Sequence, residues 1–366
     1  MLRISVGYLQ PGMVIGSNVY NANGQFLLSA GAVCSEKYIQ QLSRLGIISV
    51  YIQSPYLERL DIPEVVREEI RVKSIQAIQG VFKQLRQNNQ VNLTKMHAVV
   101  QSIVDEVIMN RNTLVQLSDL RSHDDYTFGH SVNVCILSVI IGLAMGYPKV
   151  RLRELALGGL LHDVGKMLIP AEILNKPDKL TLEELKIVQG HSELGFEILR
   201  GHREIPLPVA HIAFQHHEKV DGSGYPRGLR GAEIHEYARI TAIADIYDAL
   251  TSDRAYRKAL LLHEAYEILM ASAGNQLDHE IVAIFFNKIA VYPVGTMVQL
   301  NTGHIGIVIN VLPGLQVRPV IKIISDENGK VVGGQQEINL AKNLTIFIDK
   351  VLNDNDILRI HAGCQK

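Results

Sequence analysis

His162 and Asp163 stand side by side in residues 160–169, Leu-Leu-His-Asp-Val-Gly-Lys-Met-Leu-Ile, at the end of an apolar run. One imidazole nitrogen and up to two carboxylate oxygens can begin a site for a hard or borderline divalent metal, and a carboxylate can bridge two such ions. Lys166 follows about one helical turn after His162, on the same face, where its ammonium could meet an anionic substrate. Alone, the pair could equally be a hydrogen bond at a helix end. Further candidates answer it: His130, His191, the pair His216 and His217, and Asp245. Successive members lie 25 to 32 residues apart. No His-x-x-x-His spacing links them, which argues against a zinc finger or a zincin. A separation of that size equals one helix plus a turn and back, so side chains from successive helices of a bundle can meet at one level.

Two local contexts sharpen the set. Asp245 lies in Ile243-Ala244-Asp245-Ile246-Tyr247, an apolar surface. A buried carboxylate needs a cation or hydrogen-bond donors, and a pair with an arginine such as Arg239 is the alternative to a metal. After His216-His217-Glu218 comes Asp221-Gly222-Ser223-Gly224-Tyr225-Pro226. Its glycines and proline make either a rigid, specially shaped loop or an ordinary tight turn.

The elements that must position these groups are mostly helical. Residues 120 to about 290 read as helix nearly throughout, with polar loops at 122–126, 175–181, 200–206 and 219–236. Residues 63 to about 120 add two long amphipathic helices broken at Asn88, Asn89 and Asn92, able to pack on the chain or on a second copy. Before them, residues 1–60 read as a small α+β module. Short β-like runs flank Asn21-Ala22-Asn23-Gly24, and Ser35 caps a helix from Glu36 to Leu45 that Gly46 stops; a strand follows over 47–52. From Tyr292 onward, strand-like runs at 298–300, 303–311, 319–324 and 344–348 make a small β-rich module. The expected class is therefore mainly α: a helical bundle over 118–290, helices over 61–117, and small modules over 1–60 and 291–366.

Composition excludes several functions. With 366 residues and 47% apolar side chains the chain can form two or three ordinary domains. A net charge of -1 asks for no nucleic-acid polymer and no anionic membrane, so phosphate binding must be local. Three distant cysteines argue for a reducing compartment. No signal pattern opens the chain, and the apolar run Val132–Tyr147 is short for a membrane span, so a cytoplasmic protein without membrane insertion is expected.

His162-Asp163 with Gly165-Lys166, then His216-His217-Glu218, Asp221-Gly222-Ser223-Gly224-Tyr225-Pro226 and Asp245-Ile246-Tyr247-Asp248-Ala249-Leu250 together resemble an HD-GYP domain of the HD phosphohydrolases. The following Thr251-Ser252-Asp253-Arg254-Ala255-Tyr256-Arg257-Lys258 fits as well. The resemblance covers roughly residues 118–290 and implies a bacterial phosphodiesterase that cuts cyclic di-GMP to pGpG, GMP or both. It implies metal ligation by His130, His162, Asp163, His191, His216, His217 and Asp245, with Asp163 as the bridge. Iron or manganese suits such mixed ligands. In family members with a third metal, a glutamate precedes the first histidine. Here Asp124, Asp125 and Tyr126 stand there instead, so two metals are expected.

By the same resemblance Lys166 and Arg257 would grip the substrate phosphate and Arg254 the second phosphate; a solvated surface role is the alternative for each. Gly224, Tyr225 and Pro226 would position the ligand or dock a partner, such as a GGDEF-type signalling protein, and Tyr225 could stack on a guanine or be a structural ring. Asp221 and Asp248 either orient ligands from behind or are a turn residue and a helix hydrogen bond. His211, on the same helix as His216, is the remaining histidine nearest the pattern. Two other functions compete: a non-catalytic cyclic di-GMP receptor or effector, and a phosphodiesterase for cyclic GMP-AMP. A homodimer through the N-terminal helices is a further expectation.

Overall fold

The computed structural model describes residues 2–21, 25–47, 49–53, 65–88, 93–115, 126–176, 178–252, 259–327, 330, 332 and 336–363. In chain order, strands β1 (Leu2–Ser5), β2 (Val19–Tyr20) and β3 (Phe26–Leu28) precede helix α1 (Glu36–Arg44) and strand β4 (Ser49–Ile52). Helices α2 (Glu68–Asn88), α3 (Leu93–Met109), α4 (Tyr126–Ala144) and α5 (Lys149–Leu161) follow, then a 3-10 turn at Val164–Leu168. Next come α6 (Ala171–Leu174), α7 (Leu182–Gln189), α8 (His191–Arg200), α9 (Leu207–Gln215), α10 (Glu236–Thr251), α11 (Leu262–Ser272) and α12 (His279–Phe286). Strands β5 (Met297–Leu300), β6 (Ile305–Asn310), β7 (Val320–Ser325), β8 (Glu337–Asn339) and β9 (Ile348–Val351) end at helix α13 (Asp354–Gly363). The chain is mainly helical, and it splits into two compact units.

One unit gathers Met1–Pro63, Leu114–Asp124 and Ile289–Lys366. Within it β1 pairs antiparallel with β4, β2 with β3, and the last five strands form an antiparallel sheet in the order β8-β7-β6-β5-β9. Ser35 caps α1 by accepting a hydrogen bond from the Tyr38 amide, and the Asn21 amide donates to Gln25 O at 3.0 Å; Ala22, Asn23 and Gly24 of the expected hairpin turn lie outside the described residues. Leu2, Ile4, Ile15, Leu42 and Ile52 from the first segment share a core with Met297, Ile307, Ile324, Leu352 and Ile357 from the last. Strand β8 escapes a reading of the residues because it has three residues and one apolar side chain, too few to show a period.

The other unit, Glu64–Thr113 with Asp125–Lys288, is a helical bundle. Helix α4 is its axis. Val132, Val134, Ile136, Leu137, Val139 and Ile141 are buried around the whole helix, and α5, α10, α2, α3 and α12 pack against it. Close approach needs small residues: a Cβ on Gly159 of α5 would stand 3.0 Å from the Cys135 Cα of α4. The apolar stripes of α2 and α3, including Ile78, Phe82, Met96 and Ile103, are buried within this unit. Among the described residues no helix is long and apolar enough to cross a membrane.

Candidate metal centre

Five helices deliver the candidate ligands to one place. His130 lies in the first turns of α4, His162 and Asp163 at the end of α5, His191 at the start of α8, His216 and His217 at the end of α9, and Asp245 inside α10. All seven fall into two groups whose ligating atoms lie within 4.8 Å of one another: Asp163, His191, His216 and His217, and then His130, His162 and Asp245.

Helix ends orient three of the rings. The last carbonyls of a helix lack an amide partner within it. Nδ1 of His162 donates to Gly159 O at 2.8 Å, Nδ1 of His191 to Val188 O at 2.7 Å, and Nδ1 of His216 to Ile212 O and Ala213 O at 3.0 Å. A carbonyl only accepts, so Nδ1 carries the proton and Nε2 keeps its lone pair. Those lone pairs face Asp163. Its Oδ1 is 3.4 Å from His191 Nε2 and 3.7 Å from His216 Nε2, and its Oδ2 is 3.4 Å from His162 Nε2 and 3.9 Å from His130 Nε2.

The centre is buried and electrostatically unfinished. His162 Nε2 and Asp163 Oδ1 are buried with no hydrogen-bond partner in the structure. Polar atoms left without a partner at such depth are costly unless a cation meets them. Burial alone would raise the Asp163 pKa, but the Lys166 ammonium beside it leads the groups that outweigh burial and hold the carboxylate ionised well below its ordinary range. Asp245 is likewise held well below its ordinary range, because His130 outweighs burial. Burial pushes His191 down to about 4, and pushes His217 well below its ordinary value. His130 differs: burial opposes its charge, yet hydrogen bonds to Asp245 and Asp248 raise it to about 9. Two carboxylates and the imidazole nitrogens of five histidines, with His130 Nε2 standing 3.0 Å from Asp245, make a donor set that fits divalent cations of borderline softness.

The surrounding residues divide. Asp248 accepts from His130 Nδ1 at 2.7 Å and from Asn133 Nδ2 at 2.8 Å. Lys166 Nζ meets Asp163 Oδ2. Tyr225 stacks on His217 with centroids 4.7 Å apart and planes at 26°, and its amide donates to His217 O. Gly224 touches the His217–Lys219 backbone so closely that a Cβ would stand 2.4 Å from Lys219 N. Pro226 follows in the same loop. Asp221 is exposed; its Oδ1 accepts from the Ser223 amide and hydroxyl at 2.8 and 2.7 Å, the turn arrangement. Arg239 pairs with Asp278 at 2.5 Å, so it is not the partner of Asp245. His211 joins neither ligand group: its Nδ1 is 3.3 Å from Gln215 Nε2, and its ring stacks on His235. Arg254, Arg257, Asp124 and Asp125 lie outside the described residues.

Glu218 and Asn133 carry roles that reading the residues left unassigned. Glu218 is buried, and its two oxygens accept from the Arg227 amide at 2.8 Å and the Leu229 amide at 3.0 Å. Its adjacency to two candidate ligands and a glycine-rich loop was the available signal. Asn133 stands three residues after His130, on the same helix face, which is where a common partner could reach both.

Comparison with known proteins agrees with this geometry. A family model described as HD domain matches residues 114–281, and a KOW domain associated with HD domain matches residues 297–359. Cyclic di-GMP phosphodiesterase PA4108 of Pseudomonas aeruginosa is 31% identical over 376 residues, 93% of this chain and 89% of its own length. 3'3'-cGAMP-specific phosphodiesterase 2 of Vibrio cholerae is 46% identical over 125 residues, 34% of this chain and 24% of its own. Bd1817, an HDG"Y"P protein from Bdellovibrio bacteriovorus, matches with a TM-score of 0.52 at 20% identity, over 78% of this chain and 97% of that one, a likeness of fold.

Proposed function

We propose a function from one premise: the chain belongs to the HD-GYP branch of the HD-domain family. It is a metal-dependent phosphodiesterase that hydrolyses cyclic di-GMP. His191, His216 and His217 would hold one divalent ion and His130, His162 and Asp245 a second, with Asp163 between them. Two such ions, iron or manganese, would supply hydroxide near neutral pH and neutralise the phosphoryl oxygens.

The chain's own groups do the rest. Nδ1 hydrogen bonds keep the Nε2 lone pairs of His162, His191 and His216 turned inward. Asp248 receives the Nδ1 proton of His130 and so steadies that ring. Lys166, at the rim beside Asp163, offers a cation to the substrate phosphate. Arg257 and Arg254 would add to that grip, and the Gly224-Tyr225-Pro226 loop would bound the ligand. The product is pGpG, or GMP after a second cut.

The observation that carries this reading is Asp163, which turns Oδ1 toward one group of imidazoles and Oδ2 toward the other. Elemental analysis of anaerobically purified protein beside a chromatographic assay with cyclic di-GMP tests it. Asp163→Ala should lose both metal and turnover while staying folded. Full activity in that variant overturns the assignment. Tight binding without turnover in the metal-loaded wild type would instead make the protein a receptor. Cyclic GMP-AMP is the second substrate reading, favoured by the 46% identity to the Vibrio cholerae relative. Competition between the two dinucleotides in one assay distinguishes them.

The same proposal takes residues 118–290 as the catalytic domain, 61–117 as its helical lead, and 1–60 and 291–366 as flanking modules, in a cytoplasmic bacterial protein. A GGDEF-type partner would dock at the Gly224-Tyr225-Pro226 loop. A homodimer through α2 and α3 would use their exposed faces, because their apolar stripes are buried within the chain.

A further inference from the structure

His217 is held differently from its neighbours. Nδ1 of His162, His191 and His216 is fixed by backbone carbonyls, and Nδ1 of His130 by Asp248. Among the described residues no hydrogen bond falls on the His217 ring. What meets that ring is aromatic: Tyr225 stacked at 4.7 Å and 26°, His191 edge-on at 5.0 Å, and the adjacent His216 tilted at 4.0 Å and 44°, so Tyr225 alone lies nearly parallel to it. The tyrosine is itself pinned. Its amide donates to His217 O at 3.2 Å, Gly224 sits against the Glu218 and Lys219 backbone, and both Glu218 oxygens hold the far side of the loop through Arg227 N and Leu229 N. Glu218 is the residue after His217, so the loop starts at a candidate ligand, is tied down by the next side chain, and returns a flat ring onto that ligand.

We infer that Tyr225 is a positioning residue for the metal centre: its ring, set by the Glu218-anchored loop, orients the His217 imidazole in place of the missing hydrogen bond. This rests on the reading of His217 as a ligand. A stacked ring fixes the plane of an imidazole and leaves both nitrogens unbonded, so Nε2 or Nδ1 stays available to an ion. Loss of the ring frees His217 to rotate about its side-chain torsions. The ion shared with His191, His216 and Asp163 then loses a preset ligand, whereas the ion at His130, His162 and Asp245 does not. The glycine-tyrosine-proline loop would thus serve the metal site as well as the substrate.

The test is titration with Mn²⁺ alone, counted by electron paramagnetic resonance against a competing chelator, on wild type, Tyr225→Phe, Tyr225→Leu and Glu218→Gln. Wild type and Tyr225→Phe should load both ions with the same two affinities. Tyr225→Leu should weaken one site about ten- to a hundredfold and leave the other unchanged, as loss of an outer support does. Glu218→Gln, which keeps the ring but puts an NH₂ where an oxygen received an amide, should weaken the same site. Side-chain NMR of ¹³C-labelled histidine in the metal-free protein should show one imidazole losing order in Tyr225→Leu and keeping it in Tyr225→Phe. Unchanged affinities in Tyr225→Leu overturn the inference alone. Phe as weak as Leu also overturns it, because the hydroxyl and not the ring would then matter. A wild type that binds no Mn²⁺ removes the metal reading and this inference with it.

Discussion

Asp248 holds His130 from behind: its Oδ2 lies 2.7 Å from Nδ1 of the imidazole, while the opposite ring nitrogen stands 3.0 Å from Asp245. Asn133 donates to the second Asp248 oxygen at 2.8 Å, so α10 grips α4 through one buried carboxylate. Asp248→Ala should weaken the ion at His130, His162 and Asp245 about ten- to a hundredfold, since an outer carboxylate that fixes a ligand histidine is worth about that much. Mn²⁺ titration reads this directly. Equal affinity in the variant would show that His130 needs no support.

The metal-free protein should be most stable near the ordinary histidine pKa. His130 is raised from 6.5 to about 9, so the folded state binds that proton more tightly. Its contribution is complete below pH 6.5 and is lost as pH rises through about 9. His191 is lowered from 6.5 to about 4, so the folded state keeps it neutral, and stability falls as pH drops from 6.5 toward 4. The depressed Asp163 and Asp245 carboxylates add a further loss at lower pH still. Calorimetry in chelator should show the melting temperature declining on both sides of pH 6.5. A melting temperature still rising at pH 9 would contradict the charged His130.

Gly224→Ala should displace the loop. A Cβ there would lie 2.4 Å from Lys219 N and 2.5 Å from both Glu218 Cα and His217 O, all backbone atoms that cannot yield. The expected cost is about 1–3 kcal/mol of stability, the usual range for a group forced into filled space. Urea unfolding measures that. The rate with cyclic di-GMP should fall at least about tenfold, the effect of roughly one and a half kcal/mol at the transition state.

Lys166→Gln should leave the metal content intact and lower turnover. In the structure the ammonium meets Asp163 Oδ2. Ions joined to that carboxylate would compete for the same oxygen and leave the ammonium free for the substrate phosphate. Removing one such charge-stabilising donor costs about a hundredfold in rate or more. Elemental analysis and kcat on the same sample separate the two effects; a metal-depleted variant would assign Lys166 to the ion and not to the substrate.

Local physics explains which features could be read from residues. The interrupted stripe that ends at Asn88 and resumes at Leu93 appears as α2 and α3, and the serine before Glu36 caps α1, because periodicity and capping are properties of neighbouring residues. The seven ligand candidates could be named because carboxylates and imidazoles in apolar helices carry a cost that suggests a cation. Partners that depend on distant pairing were out of reach. Nothing near Arg239 announces Asp278, and nothing in Leu2–Ser5 announces that it pairs with Ser49–Ile52 and shares a core with Met297 and Ile307. Asp221 and Asp248 look alike in a string of letters; only packing makes one a turn residue in solvent and the other a buried grip on His130.

The carbonyls of Gly159, Val188 and Ile212 belong to the polypeptide and not to any side chain. Drift in amino-acid identity at Val188 and Ile212 therefore leaves His191 and His216 aimed as they are, provided the helix still ends there, whereas Gly159 is held small by its approach to Cys135. His130 and His217 lack that insurance: a side chain, Asp248, meets Nδ1 of the first, and the Tyr225 ring stacks on the second. On the proposed metal reading, a descendant of this chain that keeps its histidines would still forfeit an ion by changing Asp248 or Tyr225 alone.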